Sequence, residues 1–185
     1  MNALVQSRPH LPAVAATAGA AVTAPSGTTQ YLTFQLAGEA FAIGILSIKE
    51  IIEYHTLTEV PMMPACVRGV INLRGAVVPV MDLLARFGRP SSDVTKRTCI
   101  VIVEVAVEDE RQVIGVVVDA VNEVLDIDAA DIEPPPAFGA RIRADFIQGM
   151  GKVKGRFVIL LDVRHVLSID DLQAASAARD VAIAA

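Results

Sequence analysis

Gly69-Val70-Ile71-Asn72-Leu73-Arg74-Gly75-Ala76-Val77-Val78-Pro79-Val80-Met81-Asp82-Leu83 is the stretch that decides how this chain is read. Two apolar runs flank Arg74-Gly75, and glycine's tolerance of positive φ suits that pair to a tight reversal. The stretch therefore reads as strand, turn and strand, a β-hairpin with a cation at its tip.

The hairpin occurs twice. Gly69, Gly75, Val78, Val80 and Asp82 are matched at a constant offset of 80 by Gly149, Gly155, Val158, Leu160 and Asp162. Upstream of each copy, Ile48, Glu50, Ile51 and Ile52 are matched at an offset of 73 by Val121, Glu123, Val124 and Leu125. The difference of seven residues falls where Pro134-Pro135-Pro136 interrupts the second copy. Two units of about 60 to 70 residues, each with roughly five short strands, are too small for sandwiches but suit small closed barrels, which remove exposed strand edges. A mainly β protein of two five-stranded barrels is expected, barrel one over about residues 30–90 and barrel two over about 97–168, with exchange of strands between them allowed. Barrels this small bury little apolar area alone, so the two are expected to share a core, with the groove between them as the natural binding surface.

The rest of the chain fits around these units. Tyr31 to Leu36 and Ala40 to Ile45 form a first hairpin around Gly38-Glu39. Thr98 to Val105 and Gln112 to Val118 form another, and Ile147 to Leu161 carries the second copy of the opening hairpin. Leu83 to Phe87 has the length of a short helix, and the Ala-rich run after Ser168 reads as a terminal helix with Ser168 as its N-cap, so that 173–185 is helix and tail. Residues 1–29 hold Pro9, Pro12 and Pro25 among Ala, Thr and Gly without a sustained apolar period, and are read as a disordered tail. A tolerated extension is preferred there to a partner tether.

Composition removes several classes of function. The chain has 16 basic and 21 acidic residues, net -5, and no basic stretch suited to phosphates, so neither nucleic acid nor an anionic membrane is an expected partner. Cys66 and Cys99 form no C-x-x-C pattern and have no His cluster beside them, so no metal site, cofactor or disulfide framework is expected and a reducing cytoplasm fits. No apolar run reaches the ~18 residues of a membrane span, and the start of the chain does not resemble a signal peptide.

Catalytic machinery is equally hard to assemble. His10, His55 and His165 lie apart in the sequence, without a Ser-His-Asp or Cys-His set. Asp82 and Asp162 end equivalent strands and read as caps of the turns that follow, while Gly69, Gly75, Gly149 and Gly155 match no phosphate loop and read as turn residues. Glu50 and Arg74 interrupt apolar strands, and the repeat pairs them with Glu123 and Lys154. Recurring opposite charges suit a structural ion pair, and a planar guanidinium at a hairpin tip equally suits docking to a partner. An alternative of another class has Asp82, Glu50 and Arg74 converging on one small-molecule or hydrolytic cleft.

The pattern G-x-x-N-L-R-G-x-x-x-P-V-x-D-L, preceded by Phe41-Ala42-Ile43-Gly44-Ile45 and Ile48-Lys49-Glu50-Ile51, resembles the CheW family of bacterial chemotaxis coupling proteins. The resemblance runs from about Tyr31 to Leu172 and includes Gly115 to Val121, Glu133-Pro134-Pro135 and Gly149-Met150-Gly151. It implies two SH3-like barrels over 30–172 and a cytoplasmic, non-enzymatic adaptor. The implied partners are the cytoplasmic tip of chemoreceptors, the regulatory domain of a CheA-type histidine kinase, and other CheW-like domains in membrane-associated arrays. It further implies an apolar receptor groove that would involve Ile48, Cys99, Ile100, Val121 and Val124, each of which equally suits a core, functional weight on Glu50 and Arg74, and Phe138 as an anchor for a second contact. A non-flagellar pathway for surface motility, biofilm or a second messenger is the companion reading.

Overall fold

The computed structural model describes residues 27–107, 109–136 and 142–168, and within them the chain is mainly β. Strands β1 (Thr28–Leu36) and β2 (Glu39–Gly44) form a hairpin, and a 3-10 turn at Ile45–Ser47 leads into β3 (Ile48–Glu53). The opening stretch forms β4 (Val67–Leu73), β5 (Ala76–Asp82) and the one-turn helix α1 (Leu83–Arg86). The second half repeats the series as β6 (Cys99–Val107), β7 (Glu110–Val118), β8 (Ala120–Asp128), β9 (Ile132–Glu133), β10 (Ile147–Val153), β11 (Arg156–Leu161) and α2 (Val163–Val166). The terminal helix expected after Ser168 and the tail before Gly27 lie outside the described residues.

Neither sheet is contiguous in sequence. One has the order β8-β1-β2-β11-β10-β9 and the other β3-β6-β7-β5-β4. Each half thus gives its leading hairpin to the other half's barrel, and parallel contacts β2 to β11 and β5 to β7 seal the exchange. A division into 30–90 and 97–168 describes the sequence repeat but not the sheets, and one sheet has six strands rather than five because the two-residue β9 is counted separately. Both sheets close in the same way. After β3 the chain returns to pair Thr58 with Val70 of β4, through N to O distances of 3.0 and 2.8 Å. After β8 a 3-10 turn at Ala129–Asp131 delivers β9 to β10, where Glu133 pairs with Met150.

Closure explains two glycines that the sequence places wrongly. Gly69 and Gly149 lie inside β4 and β10, at register shifts, and not in turns. A Cβ on Gly69 would fall 2.5 Å from the Thr58 carbonyl oxygen, and one on Gly149 would fall 2.6 Å from Ile132 Cγ2. The closing segment crosses so near that a side chain at either position would have to displace it. The true turn glycines are Gly75 and Gly155, which follow Arg74 and Lys154 at φ of 51° and 50°. Positive φ at both turn residues matches the right-handed twist of a two-residue hairpin.

Exchange also explains the unbroken apolar runs of the hairpins. In β6, Ile100 and Ile102 enter the interior of one barrel beside Val80 and Val117, while Val101, Val103 and Val105 face a larger core shared by both barrels. A strand buried on both faces reads as a continuous run rather than an alternation. Phe34, Phe41, Phe87 and Phe146 cross the shared core as a ladder, with successive ring centroids 6.3, 5.8 and 6.1 Å apart. Asp82 Oδ1 accepts from the N-H groups of Leu84 and Ala85 to start α1, and Asp162 Oδ1 accepts from those of Arg164 and His165 to start α2. Arg86 Nε donates to the Val166 carbonyl at 3.0 Å, which ties the two helices together.

Candidate partner-binding surface

The tip of the opening hairpin is braced from two sides. Asn72 Oδ1 accepts from the Gly75 N-H at 2.8 Å, which holds the turn. Arg74 Nη1 and Nη2 donate to Glu50 Oε1 and Oε2 of β3 at 2.9 and 3.0 Å, a fork-to-fork pair. The Arg74 side chain stays 79% exposed while that of Glu50 is 25% exposed, so the guanidinium is oriented yet open to solvent. The pair occurs in one copy only. No ion pair joins Glu123 to Lys154, and Glu123 instead meets β1 through backbone bonds to Thr33 Oγ1. Lysine lacks the planar fork that lets Arg74 engage both carboxylate oxygens.

Two other charge groupings are structural. Glu104 lies between Lys49 and Arg111, and bonding to Lys49 first, then Arg111, holds its carboxyl below the usual glutamate range. Half-buried Arg68 places Nε 3.4 Å from Oδ2 of the buried Asp82. Asp82 is only 3% exposed and sits at the opposite end of β5 from Arg74, so Asp82, Glu50 and Arg74 do not converge on a cleft. His165 contacts Asp162, and His55 approaches the Glu53 carbonyl on the surface. Among the described residues no three His, Cys, Asp or Glu side chains are grouped to hold a metal ion.

The five expected groove residues separate into three classes. Ile100 is fully buried inside a barrel and is unavailable to a partner, because it shares the phase of Ile102 and packs with Val80 and Val117. Ile48, Cys99 and Val121 are half-buried against the shared core. Burial, followed by the nearby Glu53 carboxylate, pushes the Cys99 thiol up, away from a reactive thiolate. Val124 is open, at 46% exposure. Phe138 lies outside the described residues.

Sequence reasoning missed the companions of Val124. Ile51, its counterpart at an offset of 73, is 43% exposed, and Val77 and Phe157, counterparts at an offset of 80, are 73% and 51% exposed. Residues 71–80 and 151–160 have the same residue-by-residue order of buried, half-buried and exposed positions. Ile51 pairs with Val101 and Val124 with Leu32, both members of the shared core, so the two exposed side chains project from strands that border it. The available signal was Ile51-Ile52: in a strand whose side chains alternate, two adjacent apolar residues put one of them outside. Leu46 and Met62 are almost wholly exposed, and Met62 carries a φ of 63° after Pro61.

A profile of the CheW-like domain matches residues 30–171, which hold both barrels and the Glu50 and Arg74 pair. The chain belongs to the CheW family. Chemotaxis protein CheW of Klebsiella aerogenes is 32% identical over 143 residues, covering 77% of this chain and 84% of that one. Chemotaxis protein CheW of Rhizobium meliloti is also 32% identical, over 150 residues, covering 81% and 94%. Protein FrzA of Myxococcus xanthus is 28% identical over 126 residues, covering 68% and 76%. The crystal structure of the scaffolding protein TtCheW from Thermoanaerobacter tengcongensis superposes with a TM-score of 0.69 at 33% identity, covering 77% of this chain and 89% of that one. CheW membership accounts for the two exchanged barrels and places the chain among chemotaxis scaffold proteins.

Proposed function

We propose that this CheW-family protein is a non-enzymatic adaptor that couples the cytoplasmic tips of chemoreceptors to the regulatory domain of a CheA-type histidine kinase. It works in the cytoplasm, recruited to membrane-associated receptor arrays, where other CheW-like domains are further neighbours. The observation that carries the reading is the bidentate Glu50 and Arg74 pair at an exposed hairpin tip, with apolar Ile51 on the strand beside Glu50. An exposed cation held in one orientation, on a hairpin that also leaves Val77 uncovered, has the makeup of an interface anchor with a polar rim. Candidate contacts are Ile48, Glu50, Ile51, Arg74, Val121 and Val124; Cys99 contributes at most its half-buried edge, and Ile100 none. Purified protein is expected to sediment with receptor tips. Absence from that pellet with or without kinase removes the proposal.

The similarity to Protein FrzA, a family relative not named for chemotaxis, supports a second setting for the same adaptor role. A pull-down from the native cell, read by mass spectrometry, distinguishes the two by the receptors and kinase recovered: those of flagellar chemotaxis or those of another chemosensory pathway.

A further inference from the structure

The two hairpin tips share a backbone but differ in charge. The first presents one cation, Arg74, answered by Glu50. The second, Lys152-Val153-Lys154-Gly155-Arg156-Phe157, presents three exposed cations, and among the described residues Lys152, Lys154 and Arg156 form no ion pair. Phe157 lies directly across the ladder from Lys152 and is 51% exposed. A chain of net charge -5 thus concentrates unanswered positive charge around an uncovered aromatic ring.

We infer that the 152–157 hairpin tip binds a short acidic protein segment carrying an apolar residue, the carboxylates meeting Lys152, Lys154 and Arg156 and the apolar side chain covering Phe157. The neighbouring strands set the width of that ligand. Glu123, Asp126, Asp128, Asp131 and Glu133 are exposed along β8, the turn after it and β9, and β9 pairs directly with β10. This acidic row repels any broad anionic surface brought against the tip, whereas an extended peptide can run along the hairpin without crossing it. Anionic membranes are recognised by clusters of about four to eight basic residues, more than the tip offers. The inference stands on these charges and does not depend on the adaptor role.

The test uses the full chain and a fluorescein-labelled glutamate peptide with a central leucine, read by anisotropy. Binding is expected at about 50 mM salt and weaker at about 300 mM, where the screening length is shorter. Lys152→Glu/Lys154→Glu is expected to weaken it about tenfold, because two exposed charge contacts turn repulsive. Lys96→Glu/Arg97→Glu, with the same change in net charge at another exposed turn, is expected to weaken it less than about twofold. Phe157→Ser is expected to weaken binding at both salt concentrations. If the hairpin variant loses folding by circular dichroism, Lys152→Gln/Arg156→Gln takes its place. No binding at low salt, equal loss in both double variants, equal binding to phosphatidylserine vesicles, or salt-sensitive self-association in place of peptide binding would each overturn the inference.

Discussion

Arg74→Glu turns a forked attraction into a repulsion. In the native tip two donor to acceptor distances of 2.9 and 3.0 Å join Arg74 to Glu50; in the variant two carboxylates share that space. Because Arg74 is 79% exposed and Glu50 25%, the pair belongs to the solvent-screened class that contributes about 0.2–1 kcal/mol, with its bidentate geometry toward the upper end. Adding a repulsion of similar size, the variant should lose about 1–1.5 kcal/mol in urea unfolding. Loss of partner binding should be larger, about thirtyfold or more (about 2 kcal/mol), since the group reoriented is the one presented to solvent. The positive φ at position 74 burdens both side chains alike and cancels from the comparison. Adding Glu50→Arg re-forms the pair in reverse and should recover part of both losses, giving a coupling energy of about 0.5 kcal/mol or more in a double-mutant cycle. Additive single effects would refute direct pairing, and a stability loss exceeding the binding loss would refute the docking role.

Other expectations follow from the same structure. Gly69→Ala drives a methyl group against the Thr58 carbonyl and should cost about 1–3 kcal/mol in urea unfolding, while Gly149→Ala, which meets the movable Ile132 side chain first, should cost less. Ile51→Lys and Val124→Lys should leave the unfolding midpoint nearly unchanged and reduce binding to receptor tips, whereas Ile100→Lys, placing a charge in a barrel core, should prevent folding as seen by circular dichroism. Glu104 has a folded-state pKa below its ordinary value, so its contribution to stability is complete above about pH 4.5 and is lost as pH falls through the depressed value. Glu104→Gln should therefore flatten that part of the acid limb of a pH-stability curve without altering the limb near neutrality.

Much of this fold was legible because repeat and period point the same way. The offset of 80 places both hairpins, and the caps at Asp82 and Asp162 start α1 and α2 at equivalent points. Strand exchange was allowed by the sequence, but which strands are exchanged was not legible: the unbroken apolar run of β6 marks a strand buried on both faces without naming the barrel that receives it. Gly69 and Gly149 look like turn residues in sequence because what excludes a side chain there is a segment arriving from elsewhere, at Thr58 and Ile132. The surface was read least well. Ile100 and Cys99 are adjacent and similar in character, and only the phase of β6 puts one in a barrel interior and the other at the edge of the shared core. Recurrence of opposite charge overstated the second copy, where Glu123 and Lys154 stand apart.

The adaptor role is tested most directly by reconstitution from three purified components. Receptor tips, a CheA-type kinase and increasing amounts of this protein are sedimented together, and the kinase in the pellet and its autophosphorylation rate are measured. A bridging protein should raise receptor-bound kinase in proportion to its own presence in the pellet and change kinase output, with Arg74→Glu reducing both. Kinase recovery and output independent of the added protein would contradict the account.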